Sequence, residues 1–272
     1  MPVEIVDPAD GRVDDYRNLT DQRYRRTLEG DEFLIAEGPL SIDRLLATQL
    51  PMRSLLCSTA KLGRIDDLLG ACAQRSVPCY AAAPAVLESI VGFDLHRGVV
   101  AAAARPHPTP VSDLLATART VALVEGINDP ENLGALARAA RALFVDGLIL
   151  DPTCTDPYTR RNVRVSMGEV LHLPIARAAT WDNIAARCAD AGFEVWALTP
   201  AGDAHDLWTL PVPERVALTL GAEGPGLSDQ LLQNATHRVR IPIDTDVDSL
   251  NVGHAAAIAF AAARHGRRVS GR

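Results

Sequence analysis

Residues 121–150 read VALVEGINDPENLGALARAARALFVDGLIL, and this stretch decides the fold class of the second half of the chain. Val121 to Glu125 is an apolar run typical of a buried strand, and Gly147 to Leu150 is a second run of the same kind. Between them, Asp129-Pro130 is a helix start signal, and the apolar spacing over Asn132 to Leu143 predicts an amphipathic helix. A strand, a helix and a strand in this order predict a parallel βαβ unit.

The same alternation continues on both sides of this unit. Downstream, the pattern predicts a loop over Asp151–Arg164, helices over Thr180–Ala191 and Asn251–Arg264, and strands over His172–Ile175, Glu194–Leu198, Val216–Leu220 and Val239–Ile243. Upstream, it predicts helices over Asp14–Leu28, Pro39–Thr48, Ile65–Arg75 and Pro84–Ile90, and strands over Phe33–Glu37, Ser54–Cys57, Val77–Tyr80 and Gly98–Ala103. Both halves are therefore predicted to be α/β, the second with a parallel sheet covered on both faces.

A proline-rich segment separates the two halves. Pro106, Pro108 and Pro110 forbid a helix and disfavour a central strand. We therefore expect a first domain over residues 1–105, a linker over residues 106–116 and a second domain over residues 117–272.

The composition is that of a globular protein. The chain has 272 residues, of which 47% are hydrophobic and 22% charged, so intrinsic disorder is excluded. The formal net charge of -7 argues against a protein that coats nucleic acid non-specifically. Among the 27 basic residues only Lys61 is lysine, which suits phosphate recognition by arginine but is explained at least as well by codon bias.

Neither a metal site nor a membrane segment is expected. Cys57, Cys72, Cys79, Cys154 and Cys188 form no C-x-x-C pair and have no histidine at ligand spacing, which favours buried or incidental thiols. The first eleven residues contain no apolar core of a secretion signal, and no uncharged apolar run reaches the roughly 20 residues that span a bilayer. We therefore expect a cytoplasmic protein.

Three loops follow strands of the second half, at the edge where parallel α/β sheets bind ligands. They are NDPENLGALAR at 128–138, GAEGPGLS at 221–228, and IPI at 241–243 followed by DSLNV at 248–252. The first lacks the glycine patterns of dinucleotide-binding and P-loop proteins. Asn132 and Arg138 are six residues apart, about 1.7 helical turns, which predicts side chains on a broadly similar side. A solvated arginine, a plain turn and a helix cap are the architectural alternatives.

Taken in order, these segments resemble the three motifs of a known enzyme family. N-x-G-x-x-x-R ends at Arg138, G-x-E-x-x-G-L-S begins at Gly221, and I-P-I with S-L-N-V precedes an alanine-rich last helix. The segment RVSMG at 164–168, with Pro174 downstream, is similar to the same family. It is the SpoU/TrmH family of the SPOUT class, which consists of S-adenosylmethionine-dependent RNA 2′-O-ribose methyltransferases. The likeness covers residues from about 119 to 264.

The first half resembles the N-terminal domain of many members of that family. FLIAEG at 33–38 follows an arginine-rich segment, and HRGVVA at 96–101 ends the domain. The corresponding domain binds substrate and is similar to a small ribosomal RNA-binding protein. The resemblance implies a ribosomal-protein-like α/β domain followed by an α/β trefoil-knot domain.

The resemblance also implies a cofactor site and a set of catalytic residues. S-adenosylmethionine would be held by backbone groups at Gly221, Ile241 and Leu250, with Leu220 and Thr199 beside them, and a side chain at position 221 would crowd the adenosine. Arg138 is the family's catalytic arginine, which we interpret as a clamp on the target phosphate and the developing alkoxide, with a base role left open. Asn132, Glu223, Ser249 and Asn251 would orient Arg138, the ribose and the cofactor.

RNA contacts are expected from two arginine groups, although a solvated charged surface is the default interpretation of such groups. The first comprises Arg17, Arg23, Arg25 and Arg26, and the second comprises Arg160, Arg161 and Arg164. We expect a homodimer that methylates structured RNA, with ribosomal RNA first and transfer RNA second. The alternatives are a knotted RNA-binding protein that does not methylate and an ordinary nucleotide-dependent α/β enzyme.

Overall fold

The computed structural model describes the backbone of residues 1–270 and the side chains of residues 1–266. Its contacts divide the chain into two compact units. The first unit contains Met1–Pro106 together with Tyr158–Leu171, and the second contains His107–Pro157 together with the chain from His172 onward.

The first unit is built around a five-stranded sheet. Its strands are β1 (Val3–Ile5), β2 (Phe33–Glu37), β3 (Met52–Ser58), β4 (Cys79–Ala82) and β5 (Val99–Ala104), in the order β1-β4-β3-β5-β2. The strands β1, β4 and β3 are parallel, and β5 is antiparallel to β3 and β2. The helices are α1 (Gln22–Glu29), α2 (Pro39–Leu46), α3 (Asp66–Gln74) and α4 (Pro84–Val91), with 3-10 turns at Gly11–Tyr16 and Thr59–Arg64.

Local signals set the ends of these helices. The Asp21 side chain accepts a hydrogen bond from the Tyr24 amide and caps α1, while α2 and α4 each begin with a proline. In the core, the buried Tyr16 hydroxyl lies 2.7 Å from the Ser54 hydroxyl and accepts the Ala102 amide at 3.2 Å. The apolar side chains of Ile35, Leu56 and Val100 surround this polar pair and are fully buried.

The second unit contains a seven-stranded parallel sheet. Its strands are β6 (Thr120–Glu125), β7 (Gly147–Leu150), β8 (Ile175–Arg177), β9 (Glu194–Leu198), β10 (His205–Asp206), β11 (Val216–Gly221) and β12 (His237–Arg240). Every strand pairing is parallel, in the order β10-β12-β9-β11-β6-β7-β8. The α/β class and the parallel sheet agree with the prediction. The helices are α5 (Val111–Thr117), α6 (Pro130–Ala142), α8 (Ile184–Asp190), α9 (Asp229–Asn234) and α10 (Val252–Ser270), and α7 (Arg160–Val165) lies in the first unit.

The predicted loop and linker both contain helices. The expected loop over Asp151–Arg164 includes α7, because the Thr159 hydroxyl accepts the Asn162 amide and starts a helical turn. The expected linker over 106–116 includes most of α5, whose Leu114 and Leu115 are buried in the core of the second unit. Tyr158–Leu171, predicted within the second domain, packs in the first unit, where Val163 is fully buried.

Other boundaries also differ from the prediction. The expected helix over Asp14–Leu28 is interrupted after Tyr16, since Asn18 has a left-handed backbone with φ of 49°. The strand expected at His172–Ile175 begins at Ile175, and the strand expected at Val239–Ile243 ends at Arg240. Within residues 1–270, no helix is long and apolar enough to cross a membrane.

Candidate functional site

A cavity of about 180 Å³ opens in the second unit, at the carboxyl ends of β9, β11 and β12. The five residues predicted to hold the cofactor lie on its wall: Thr199, Leu220, Gly221, Ile241 and Leu250. Sequence reasoning missed the other apolar residues of the wall, which are Leu198, Pro200, Ala222, Val239, Ile243, Val252 and Ala255. Glu223 is the one charged side chain among the described lining residues, so the cavity combines an apolar wall with a single carboxylate.

The glycine-rich loop after β11 folds back on itself at this cavity. The Gly226 amide donates to the Ala222 carbonyl at 2.9 Å, and Gly224 and Gly226 have φ of 88° and 71°. A Cβ at Gly221 would lie 2.3 Å from the Gly226 carbonyl carbon and oxygen. Gly221 is therefore required by the backbone of its own loop, and the expectation that a side chain there would crowd a bound adenosine stays a prediction.

Glu125 holds this loop from the neighbouring strand. Its carboxylate, at the end of β6, accepts the Ser228 amide at 2.8 Å, and the Ser228 hydroxyl caps α9. Sequence reasoning missed Glu125, although its position at the carboxyl end of a central strand was a usable signal.

Asn251 brings together residues from three distant parts of the chain. Its side-chain amide donates to Asn132 Oδ1 at 2.8 Å and to Glu223 Oε1 at 2.7 Å. Its own oxygen accepts the Gly253 amide at 3.0 Å at the start of α10. We name Asn132, Glu223 and Asn251 the Asn251 cluster. The structure thus brings together three of the five predicted catalytic residues at the mouth of the cavity, and a fourth, Ser249, lies on the wall.

The hydrogen bond between Asn251 and Asn132 depends on close packing of α6 against α10. Asp129 caps α6 by accepting the Glu131 amide at 2.8 Å, and Pro130 occupies the first turn. On α10, a Cβ at Gly253 would lie 3.1 Å from Ala135 Cβ, so glycine allows the helix starts to approach. Because the two helix starts lie close together, the side chain of Asn251 reaches Asn132.

Arg138 does not join the Asn251 cluster. Its side chain is exposed and makes no hydrogen bond or ion pair with any residue of the described chain. Six residues turn an α-helix by about 600°, which leaves the side chains of Asn132 and Arg138 about 120° apart around the axis. The prediction that both side chains lie on a broadly similar side was therefore wrong.

Comparison with known proteins identifies the family. The sequence profile described as the SpoU rRNA Methylase family matches residues 119–261, which include the cavity and the whole Asn251 cluster. The chain belongs to this SpoU family. An uncharacterized tRNA/rRNA methyltransferase of Mycobacterium tuberculosis is 43% identical, over 94% of this chain and 90% of the relative.

Two further relatives of this SpoU family protein match along nearly the whole chain. The 23S rRNA (guanosine(2553)-2′-O)-methyltransferase RlmP of Bacillus subtilis is 26% identical, over 94% of this chain and 96% of the relative. The AdoMet-bound rRNA methyltransferase from Sinorhizobium meliloti has a similar structure, with a TM-score of 0.79 and 30% identity, covering 96% of this chain and 97% of that one. The protein is thus an RNA methyltransferase of the TrmH/SpoU type.

In the first unit of this SpoU family protein, two of the arginines predicted to contact RNA hold the fold together. Arg25 is 6% exposed, pairs with Glu29 at 2.7 Å and donates to the carbonyls of Asp15 and Arg17. Arg160 pairs with the buried carboxylate of Glu37, and burial lowers the pKa of its guanidinium. Both guanidinium groups are thus held in ion pairs within the fold, and the expected contact of Arg25 and Arg160 with RNA stays a prediction.

The other predicted arginines differ in exposure. Arg164 lies 3.6 Å from Glu37 and is partly exposed, and we name Glu37, Arg160 and Arg164 the Glu37 cluster. Arg23, Arg26 and Arg161 are exposed. Arg17 pairs with Asp14 at 2.7 Å and donates to the Pro8 carbonyl.

Within residues 1–266, no three His, Cys, Asp or Glu side chains are grouped so as to hold a metal ion. Burial raises the pKa of Cys57, Cys154 and Cys188 to about 12, so these thiols stay protonated at neutral pH.

Proposed function

We propose that this protein transfers a methyl group from S-adenosylmethionine to a ribose 2′-hydroxyl of ribosomal RNA. The observation that carries the proposal is the Asn251 cluster, which joins all three family motifs at the mouth of one cavity. The relative named as a 23S rRNA 2′-O-methyltransferase supports both the position of the methyl group and the class of RNA.

The cavity has the chemistry that this cofactor requires. S-adenosylmethionine carries a flat adenine ring and a positively charged sulfonium, and it supplies the methyl group when bound. Leu198, Leu220 and Ile241 offer an apolar surface for the ring, and Glu223 offers the only carboxylate on the described wall. Thr199 and Ser249 add hydroxyl groups, so the residues present fit the cofactor.

The Asn251 cluster would position the ribose. Asn251 donates one hydrogen bond to Glu223 Oε1, which fixes the carboxylate and leaves its other oxygen as an acceptor. We propose that this acceptor receives a hydrogen bond from the ribose and that Asn132 holds Asn251 in place. Such pre-organisation lowers the entropic cost of bringing the hydroxyl to the reacting carbon.

Arg138 would stabilise charge on the RNA. A guanidinium keeps its proton in proteins and is a poor base, whereas it stabilises a phosphate or a developing alkoxide well. We therefore propose a clamp role for Arg138, whose exposed side chain is available to RNA.

The trefoil knot and the homodimer belong to the same proposal. After β12 the chain runs through residues 241–251 along the cavity to α10, which packs against α6, and this return supports a knotted path. Exposed alanines lie on α6, which carries Arg138, and on α10: they are Ala135 and Ala142 on the first helix and Ala261 on the second. Their small side chains allow close packing of a second copy.

A methyl-transfer assay with the Arg138→Ala variant tests the proposal. We expect wild-type protein to transfer radiolabelled methyl groups to unmodified ribosomal RNA at the 2′-position, and the variant to lose about 10³-fold in rate, the cost of removing one group that stabilises transition-state charge. Calorimetry should give the same affinity of both proteins for S-adenosylmethionine. The mass of the active species should be that of a dimer.

Other outcomes would contradict the assignment. Methylation of transfer RNA alone would replace the substrate class, and binding of ribosomal RNA without methyl transfer would indicate a non-catalytic protein. Near-normal turnover by Arg138→Ala would remove Arg138 from the mechanism.

A further inference from the structure

Two glycines of the first unit lie beneath the side chains of two cations. Gly38 follows β2, and a Cβ there would lie 2.6 Å from Arg97 Cδ. Gly98 precedes β5, and a Cβ there would lie 2.5 Å from Lys61 Cγ. The aliphatic stems of Arg97 and Lys61 are therefore packed on bare backbone at one edge of the sheet. Both glycines have positive φ, 88° and 69°, which also disfavours any other residue there.

Both cations lack an intramolecular partner. Across residues 1–266, neither the Lys61 ammonium nor the Arg97 guanidinium makes a hydrogen bond or an ion pair. Arg97 is exposed and Lys61 is partly exposed. Contact with the backbone already restricts the stems of Lys61 and Arg97. Binding of a ligand to their charged ends therefore costs less side-chain entropy than binding to freely moving surface cations.

The buried carboxylate next to Gly38 is already paired. Glu37, next to Gly38 in the chain, is 4% exposed and pairs with Arg160 and Arg164. Asp94, on the loop that leads to Arg97, lies 3.1 Å from His96. Because two arginines neutralise Glu37, the charges of Lys61 and Arg97 favour the binding of an anion.

We propose that Lys61 and Arg97 form a binding site for the phosphate backbone of the RNA substrate, which we name the Lys61–Arg97 site. The proposal rests on the proposed function for the identity of the ligand. It adds two cations to the RNA contacts expected of the first unit, where Arg25 and Arg160 are held in ion pairs with Glu29 and Glu37. Two restricted cations, held over Gly38 and Gly98 and without partners among the described side chains, suit the phosphates of one strand better than a single small anion.

The single lysine of the chain allows a direct test on the unmodified protein. An amine-selective acetylating reagent reacts with Lys61 and the N-terminal amine, and mass spectrometry measures both rates. With an in vitro transcript of 23S ribosomal RNA at about ten times its dissociation constant, we expect acetylation of Lys61 to slow about tenfold, because only free protein reacts. The N-terminal amine is the internal control. Unchanged acetylation of Lys61 under these conditions would overturn the proposal, as would equal protection by inorganic phosphate alone.

Variants provide a second measurement. Lys61→Gln and Arg97→Gln should each lower the slope of log affinity for the transcript against log salt by about 1, and the double variant by about 2. Arg75→Gln is the matched control, since Arg75 is also exposed and unpaired within the described part of the first unit. If the Arg75 variant changed the slope as much as the others, the effect would be general charge and the site would be wrong.

The two proposals fail in different ways. Protection of Lys61 by the transcript, without any methyl transfer by wild-type protein, would contradict the proposed enzyme and support the Lys61–Arg97 site. Normal methyl transfer with unprotected Lys61 and unchanged salt slopes would support the enzyme and overturn the site.

Discussion

The Asn251 cluster and the Glu37 cluster each contain one glutamate, and the two glutamates are in opposite situations. In the second unit, Glu223 and Asn251 are exposed beside a cavity and are joined by hydrogen bonds. In the first unit, Glu37 is 4% exposed and is matched by two arginines. The exposed cluster leaves acceptors for a ligand, whereas the buried cluster uses its charges to compensate one another. Burial and pairing therefore separate the glutamate that is available for chemistry from the glutamate that the fold requires.

Removal of Arg160 should have the largest effect on folding. In the Arg160→Ala variant, Glu37 keeps only the longer contact to Arg164, and an uncompensated buried charge costs about 3 kcal/mol. Urea denaturation should show this loss in the free energy of unfolding. Arg23→Ala, which removes an exposed arginine of the same unit, should change it by less than about 0.5 kcal/mol. Equal stability of Arg160→Ala and wild type would mean that the ion pair does not support the fold.

Substitution of Glu223 should affect catalysis and spare the fold. Glu223→Gln keeps the size of the side chain but removes the charge, and we expect methyl transfer to fall about 100-fold. Because Glu223 is exposed, the free energy of unfolding should stay within about 0.5 kcal/mol of wild type. A thermal shift scan beside the methyl-transfer assay measures both. If Glu223→Gln lost activity only because it lost stability, Glu223 would support the fold as Glu37 does, and the distinction between the two clusters would be wrong.

The smallest effect is expected at the start of α6. Asp129→Ala removes the cap of the helix that carries Asn132 and should cost about 1 kcal/mol of unfolding free energy. Glu214→Ala is the matched control, because this exposed carboxylate of the same unit caps no helix. Methyl transfer per folded molecule should stay within about twofold for both variants, since one lost cap hydrogen bond leaves the rest of α6 in place. A fall in turnover for Asp129→Ala alone would show that the cap also positions the Asn251 cluster.

Periodicity predicted the parallel sheet of the second unit well, for a physical reason. Its central strands are buried on both faces and read as uninterrupted apolar runs, such as Val121–Val124, all of which are fully buried. The same reasoning failed for α7, because its polar sequence RRNVRV has no apolar stripe and is held by a cap and by the Glu37 cluster. Contacts between residues 37 and 160 cannot be read from local spacing.

The sequence predicted which residues form the candidate site but not how they are arranged. Motif order selected Asn132, Glu223 and Asn251, which the structure brings within hydrogen-bond distance. It gave no information on the surroundings of Arg25, which pairs with Glu29 within α1 and donates to the carbonyls of Asp15 and Arg17 before that helix. The placement of the Arg97 and Lys61 side chains could not be predicted either, because it depends on contacts with Gly38 and Gly98 that form only in the folded unit.

The assignment of Tyr158–Leu171 to the first unit bears on how the protein folds during synthesis. Residues 107–157 are translated between the two parts of that unit. Domains generally fold as they emerge, N-terminal first. Here Glu37 has no Arg160 to neutralise it until α7 has left the ribosome, by which time α5, β6, α6 and β7 have already been made. Completion of the first unit must therefore wait for the early strands of the second.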